Sequence, residues 1–102
     1  MSRQHFSAEL LEKVRAVPLA SILESLRYHV AVDRDFVPEK DARSQRWIVS
    51  SVRGSAELLV TGPKWFDTRV ARGGGGAVDL VMHLENLSFV SAVKRIVGTL
   101  DP

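Results

Sequence analysis

The sequence contains no cysteine, and this absence excludes disulfides, cysteine-held iron–sulfur clusters and thiolate zinc sites on chemical grounds. Long apolar runs are also missing at the start of the chain. The stretch MSRQHFSAELLEKVRAV meets polar residues every two or three positions, so it offers neither the apolar centre of a signal peptide nor a membrane span. A cytoplasmic location is the default expectation, and Met1 with the short ends points to a free-standing protein. The 102 residues leave room for one core, so residues 1–102 are expected to form a single domain. A composition of 45% hydrophobic and 25% charged residues is that of an ordinary soluble domain, away from disordered or collagen-like classes.

A large excess of one charge is lacking as well, since the net charge is only +2. Its distribution is more informative. Residues 36–72 hold seven basic residues, Lys40, Arg43, Arg46, Arg53, Lys64, Arg69 and Arg72, against the four acidic residues Glu39, Asp41, Glu57 and Asp67. The flanks are balanced or slightly acidic, so the middle of the chain is its basic part.

Ser7 is placed to cap a first helix whose apolar positions Leu10, Leu11 and Val14 run on to Val17. Pro18 suits the first turn of a second helix, extending to about Arg27, with Leu19, Ile22, Leu23 and Leu26 as its buried stripe. From Tyr28 to Val32 the pattern alternates as in a short strand. The polar run DRDFVPEKDARSQ reads as a loop. Two strand-like runs, Arg46 to Val52 and Ala56 to Thr61, flank Arg53-Gly54-Ser55 and predict a hairpin. After the turn at Thr61-Gly62-Pro63, Lys64 to Asp67 forms a candidate third strand beside it. Gly73-Gly74-Gly75-Gly76 then precede AVDLVMHLEN, apolar on most sides and therefore a largely buried helix. Asn86 fits its C-terminal cap, Ser88 the N-cap of a last helix, FVSAVKRIV, and Gly98 the position just past that helix.

The four glycines are the least ordinary stretch, because each costs backbone entropy and none fills a core. One reading is a close approach of backbone N–H groups to a phosphate at the helix start, with Arg69 and Arg72 just upstream. The other is a flexible turn, or a tight connection that lets the helix pack closely on the sheet. No Gly-Lys-Ser/Thr follows the run, and it lies in no βαβ dinucleotide unit, which argues against nucleotide hydrolysis.

The order of the glycine run, Ala77 to Leu84 and Leu87-Ser88-Phe89 resembles the end of the zinc-binding, DNA-recognition domain of bacterial primases. It is closer to the zinc-less versions in primase-like proteins of plasmids and other mobile elements. There a strand (here Trp47-Ile48-Val49), a Thr-Gly-x-Lys-aromatic turn (Thr61-Gly62-Pro63-Lys64-Trp65-Phe66) and a run of glycines precede the same helices. The resemblance spans roughly Pro18 to Gly98. Three cysteines and a histidine hold zinc in the primase family, and without cysteine that site is absent here. The resemblance implies the recognition part of a priming machine, a single-stranded DNA contact, without the catalytic domain.

The expected architecture is α+β: a small antiparallel sheet of three to five strands between two N-terminal and two C-terminal helices, a zinc-ribbon-like primase domain without zinc. Candidate DNA-binding residues are Arg43, Arg46, Trp47, Arg53, Lys64, Trp65, Arg69, Arg72 and the glycines Gly73, Gly74, Gly75 and Gly76. Aromatic rings on a basic sheet face suit single strands, because bases stack on them without regard to sequence. Trp47, Trp65 and Phe66 are equally candidates for the core. Trp65 and Phe66 are adjacent, so in a strand they point to opposite faces and one of them is a candidate for the outside. His83 and Asp79, four apart on a helix, are too few to hold a metal. A hydrogen bond from His83 to a neighbouring element is the expectation, and Asp79 is suited to complement the positive helix start. His5 and His29 are expected to be solvated, and Lys94 and Arg95 to lie on a solvated helix face.

No metal and no cofactor are expected, and the serines lack a base partner for nucleophilic catalysis. Two functions lead. The first is single-stranded DNA binding as an accessory to the priming or replication of a mobile element. The second is an adaptor that docks onto a primase, polymerase or helicase without binding DNA. A small enzyme is a distant third. A continuous basic face with upright aromatics would favour DNA, whereas an exposed apolar patch on the sheet would favour the adaptor.

Overall fold

The computed structural model describes residues 6–100. Helix α1 (Ala8–Arg15) starts where Ser7 Oγ accepts a hydrogen bond from the Leu10 N–H at 3.1 Å, satisfying one of the free N–H groups of the first turn. Pro18 occupies the N-cap of α2 (Leu19–Ser25), where its missing N–H costs nothing. The chain leaves α2 through Arg27, whose φ of 70° reverses its direction into the sheet.

Five strands follow in an antiparallel meander: β1 (His29–Val32), β2 (Gln45–Ser51), β3 (Gly54–Thr61), β4 (Lys64–Asp67) and β5 (Arg72–Gly75), neighbours in space in the order of the chain. Helices α3 (Gly76–Glu85) and α4 (Phe89–Leu100) complete the α+β domain. The hairpin, the strand before it and the strand after it agree with the sequence pattern. Residues 33–44 carry no helix or strand, as their polar composition suggests. The connection from β3 to β4 turns at Gly62, whose φ of 59° favours glycine.

Two expectations need correction. The glycine run is not a flexible turn, because Arg72, Gly73, Gly74 and Gly75 pair with Asp67, Phe66, Trp65 and Lys64 as the fifth strand. Gly98 lies inside α4 rather than beyond it. Ile96 is buried and Val97 packs against the core, and that anchoring outweighs the roughly 1 kcal/mol that a helical glycine costs. The caps between the last two helices are as expected: Asn86 adopts the left-handed conformation, and Ser88 Oγ accepts from the Ser91 N–H.

Alternation assigns the two faces of the sheet. Trp47, Val49, Ala56, Leu58, Val60 and Trp65 point inward and are buried. They meet Val14 of α1, Ile22 and Leu23 of α2, Leu80 and Val81 of α3, and Val93 and Ile96 of α4, all fully enclosed. The helices pack on one another and form one layer over this face. Each large apolar side chain so buried contributes about 1.5–3 kcal/mol.

A partly buried polar link centred on Glu85 ties the layers. Tyr28 Oη donates to Glu85 Oε2 at 3.1 Å, and Arg95 Nε donates to Glu85 Oε1 at 2.9 Å. Arg95 is therefore committed to an acid of α3 and is not simply solvated. Burial, followed by the charge of Glu85, raises the Tyr28 hydroxyl above its ordinary value of 10.0. A raised value means that the stabilisation is complete at lower pH. It drains away as pH climbs from about 10 toward the folded value, because the unfolded tyrosine ionises first. Tyr28→Phe is expected to flatten this alkaline decline, measured as urea midpoints between pH 9 and pH 11.

Candidate functional site

The face of the sheet opposite the helices carries Arg46, Ile48, Glu57, Leu59, Lys64 and Phe66, placed there by alternation with the buried residues. Phe66 is 41% exposed, whereas Trp65 beside it is 4% exposed. Across the strands Arg46, Leu59, Phe66 and Gly73 fall on one line of register. A Cβ on Gly73 would lie 3.0 Å from Phe66 Cδ2, so the bare strand is what lets this ring lean over its neighbour.

Both tryptophans correct the sequence reading. Trp47, 8% exposed, and Trp65 are part of the core, and no base can stack on either. Trp47 Nε1 donates to Gln45 Oε1 at 3.0 Å. The Trp65 ring stacks on His83, with centroids 4.8 Å apart. Phe66, which the sequence left as one of two alternatives, is the outward aromatic.

Of the two readings of the glycines, the tight connection is the one the structure shows. Asp79 Oδ2 accepts from the Gly75 N–H at 3.1 Å, and the Gly76 N–H donates to the Pro63 carbonyl at 2.9 Å. Asp79 thus stands at the start of α3 where a phosphate was the alternative, and its negative charge would repel one. Gly74 provides the tight connection, since a Cβ there would collide with the Asp79 carboxylate and lie 2.8 Å from Trp65 Cζ2.

The cations divide into two groups. Arg43 is bound to Asp41 through Nε and Nη2 at 3.2 and 2.9 Å, and these bonds hold the Asp41 carboxyl down at about 2. Arg46 lies between Glu57 at 2.7 Å and Asp33 at 3.4 Å. Hydrogen bonds from Arg46 and then Thr68 hold the Glu57 carboxyl below its ordinary range. Both arginines are already committed to internal acids, and a phosphate would have to displace them.

The second group differs. The β2–β3 and β4–β5 turns lie at the same end of the sheet, because Thr68 N–H donates to the Glu57 carbonyl and Arg69 Nη1 reaches the Ser55 carbonyl at 2.8 Å and its Oγ at 3.1 Å. Arg53, Arg69 and Arg72 are gathered there, with Arg27 at the entrance to β1 on the same side. None of these four forms an ion pair among the described residues. Arg72 faces the helix side, lining a recess of about 190 Å³ with Asp79, His83 and Asn86. At the opposite end stands Lys64, exposed and likewise without an ion pair among the described residues.

The arginine end is fixed by Asp67, which is 6% exposed. Its Oδ1 accepts from the Arg69 N–H at 3.0 Å, and its Oδ2 lies 2.8 Å from His83 Nε2. The hydrogen bond expected of His83 is thus made to the sheet, and Asp79 is not its partner. Among the described residues no cluster of three or more His, Asp or Glu side chains is placed to hold a metal ion. His29 is exposed, and His5 lies outside the described residues.

The loop of residues 33–44 curls over the outer face and encloses a groove of about 820 Å³ against Leu59, Thr61, Lys64 and Phe66. Phe36, Val37 and Pro38 form its far wall. Neither expected surface is present in pure form, for the cations sit at the two ends of the sheet and an apolar groove with one exposed ring lies between them. No helix among the described residues is long and apolar enough to cross a membrane. No protein-family model matches the chain, and no curated protein or solved structure shows significant similarity to it.

Proposed function

We propose that this α+β domain binds single-stranded DNA through its phosphates, as a non-catalytic accessory to the priming or replication of a mobile element in the cytoplasm. The observation that carries this reading is the arginine end. Two turns fixed by Asp67 and Ser55 put Arg53, Arg69 and Arg72 at one end of the sheet, and none of the three forms an ion pair among the described residues. Arginine is suited to this task because its fork meets two phosphate oxygens at once. Arg69 reaches Ser55, which alternation puts on the outer face, and from Lys64 to Asp67 the sheet spans about 10 Å, so a strand anchored at Arg69 would pass Phe66 before reaching Lys64. The primase-like order of the glycine strand and final helices supports the same reading, although the glycines act through the fold and not as a phosphate cradle.

The test is a fluorescence-anisotropy titration of labelled single-stranded and duplex oligonucleotides over a salt series. Wild type is expected to prefer the single strand and to weaken as salt rises. In Arg53→Ala/Arg69→Ala/Arg72→Ala the slope of log affinity against log salt is expected to flatten by about 2, since each phosphate no longer neutralised by an arginine lowers it by about 0.7. Absence of binding at low salt would refute the proposal.

One observation favours a second reading, an adaptor for a primase, polymerase or helicase. The groove wall of Phe36, Val37 and Pro38 is apolar, and Val37 is 79% exposed, as in a surface that receives a protein segment.

A further inference from the structure

The groove on the outer face has features that phosphate binding alone does not explain. Its floor includes an aromatic ring that is 41% exposed, beside the glycines of β5. An exposed phenylalanine costs solubility and here contributes little to the core, since the residues on either side of it, Trp65 and Asp67, supply the burial of β4. Gly73 leaves room for this ring, since a Cβ at that position would lie 3.0 Å from Cδ2. The opposite wall, formed by Phe36, Val37 and Pro38, leaves a slot of about 820 Å³, within the size range of small-ligand sites.

The charge at the mouth selects among occupants. Asp41 is neutralised by Arg43, which leaves Lys40 and Lys64 against Glu39 among the lining residues. An aromatic, apolar slot with a slight excess of cations at its rim fits a flat ring that carries a phosphate. Resting on the strand-binding reading above, we propose that the groove takes one unpaired nucleobase of the bound strand. The base stacks on Phe66 beneath the loop of residues 36–38, and its phosphate meets Lys64. The arginine end then supplies attraction along the backbone, while the groove requires a base that is not paired. This requirement is the physical basis for discriminating single strands from duplex, whose bases already stack on one another.

The experiment uses the full chain and a thymidine oligonucleotide carrying one 2-aminopurine, with a matched oligonucleotide in which an abasic site replaces that base. Binding is expected to change the 2-aminopurine fluorescence. Phe66→Ala, checked by circular dichroism, is expected to abolish that change and weaken binding about tenfold, the effect of losing one stacked base. Phe66→Trp restores a stacking ring and is expected to restore both. Val37→Glu, a change at an exposed position, places a negative charge at the mouth and is expected to weaken binding without unfolding the chain. If the oligonucleotide binds with normal salt dependence but these variants and the abasic site change nothing, the groove is not a base site and the phosphate reading stands. If apolar peptides compete for the wild-type groove while no oligonucleotide binds, both proposals fall and the adaptor takes their place.

Discussion

Trp65→Ala is expected to cost about 3–5 kcal/mol, a large part of the roughly 5–15 kcal/mol that holds a domain of this size together. Trp65 is 4% exposed, stacks on His83 and contacts the glycine strand through Cζ2. Removing the ring therefore opens a cavity where sheet, helix α3 and strand β5 meet. Its neighbour should behave in the opposite way. Phe66→Ala truncates a ring that already faces solvent, and its stability loss is expected to stay within about 1 kcal/mol. Urea denaturation of the two variants tests the assignment of faces directly. A large loss for Phe66→Ala with a small one for Trp65→Ala would mean that β4 is turned over.

Asp67→Ala is expected to destabilise the protein by about 2–3 kcal/mol, because it leaves two enclosed donors or acceptors without partners. Asp67 joins the Arg69 N–H in the β4–β5 turn to His83 in α3, with side-chain exposures of only 8% and 12% for the acid and the histidine. The same change should loosen the turn that presents Arg69 and Arg72. Urea midpoints measure the first effect, and amide exchange of residues 68–71 measures the second. Unchanged protection in that turn would show that pairing with β3 alone holds it. Asp67→Asn keeps an acceptor for the Arg69 N–H and is expected to recover part of the loss.

Much of the architecture could be read from local pattern, and particular residues show why some of it could not. Ser7, Pro18, Asn86 and Ser88 act within one turn of the chain, so their roles follow from neighbours in sequence. The hairpin was legible because β-rich runs flank Arg53-Gly54-Ser55. The two faces of β2 were harder to separate, since Trp47 and Val49 alternate with Ile48, and all three are apolar. The same ambiguity affects Leu58 and Leu59 in β3. Only the packing of the helices decides which side is enclosed.

The glycine run misled for a related reason. Glycine has low preference for strands, yet pairing with β4 holds Arg72 to Gly75 extended, and Trp65 and Asp79 leave no space for a side chain at Gly74. Nor could a count of cations distinguish committed from available ones. Arg43 and Arg46 are spoken for by Asp41, Asp33 and Glu57, while Arg53, Arg69 and Arg72 are brought together by turns distant in sequence. Phe66 carried a usable signal, since its adjacency to Trp65 requires that two aromatic neighbours in one strand face opposite ways.

The meander has a consequence for how the molecule is made. Each strand pairs with the one synthesised just before it, so the sheet closes a series of short loops at small entropic cost and can grow in step with the emerging chain. The helical layer cannot. Helix α1 rests on α3 and α4, and α2 packs on β1 as well as on that pair, so the packing of these two helices is completed only when α3 and α4 have emerged. A half-made chain would carry a formed sheet with its tryptophan face bare. The segment from Gly76 onward acts as the closing half of a clasp whose opening half was made first.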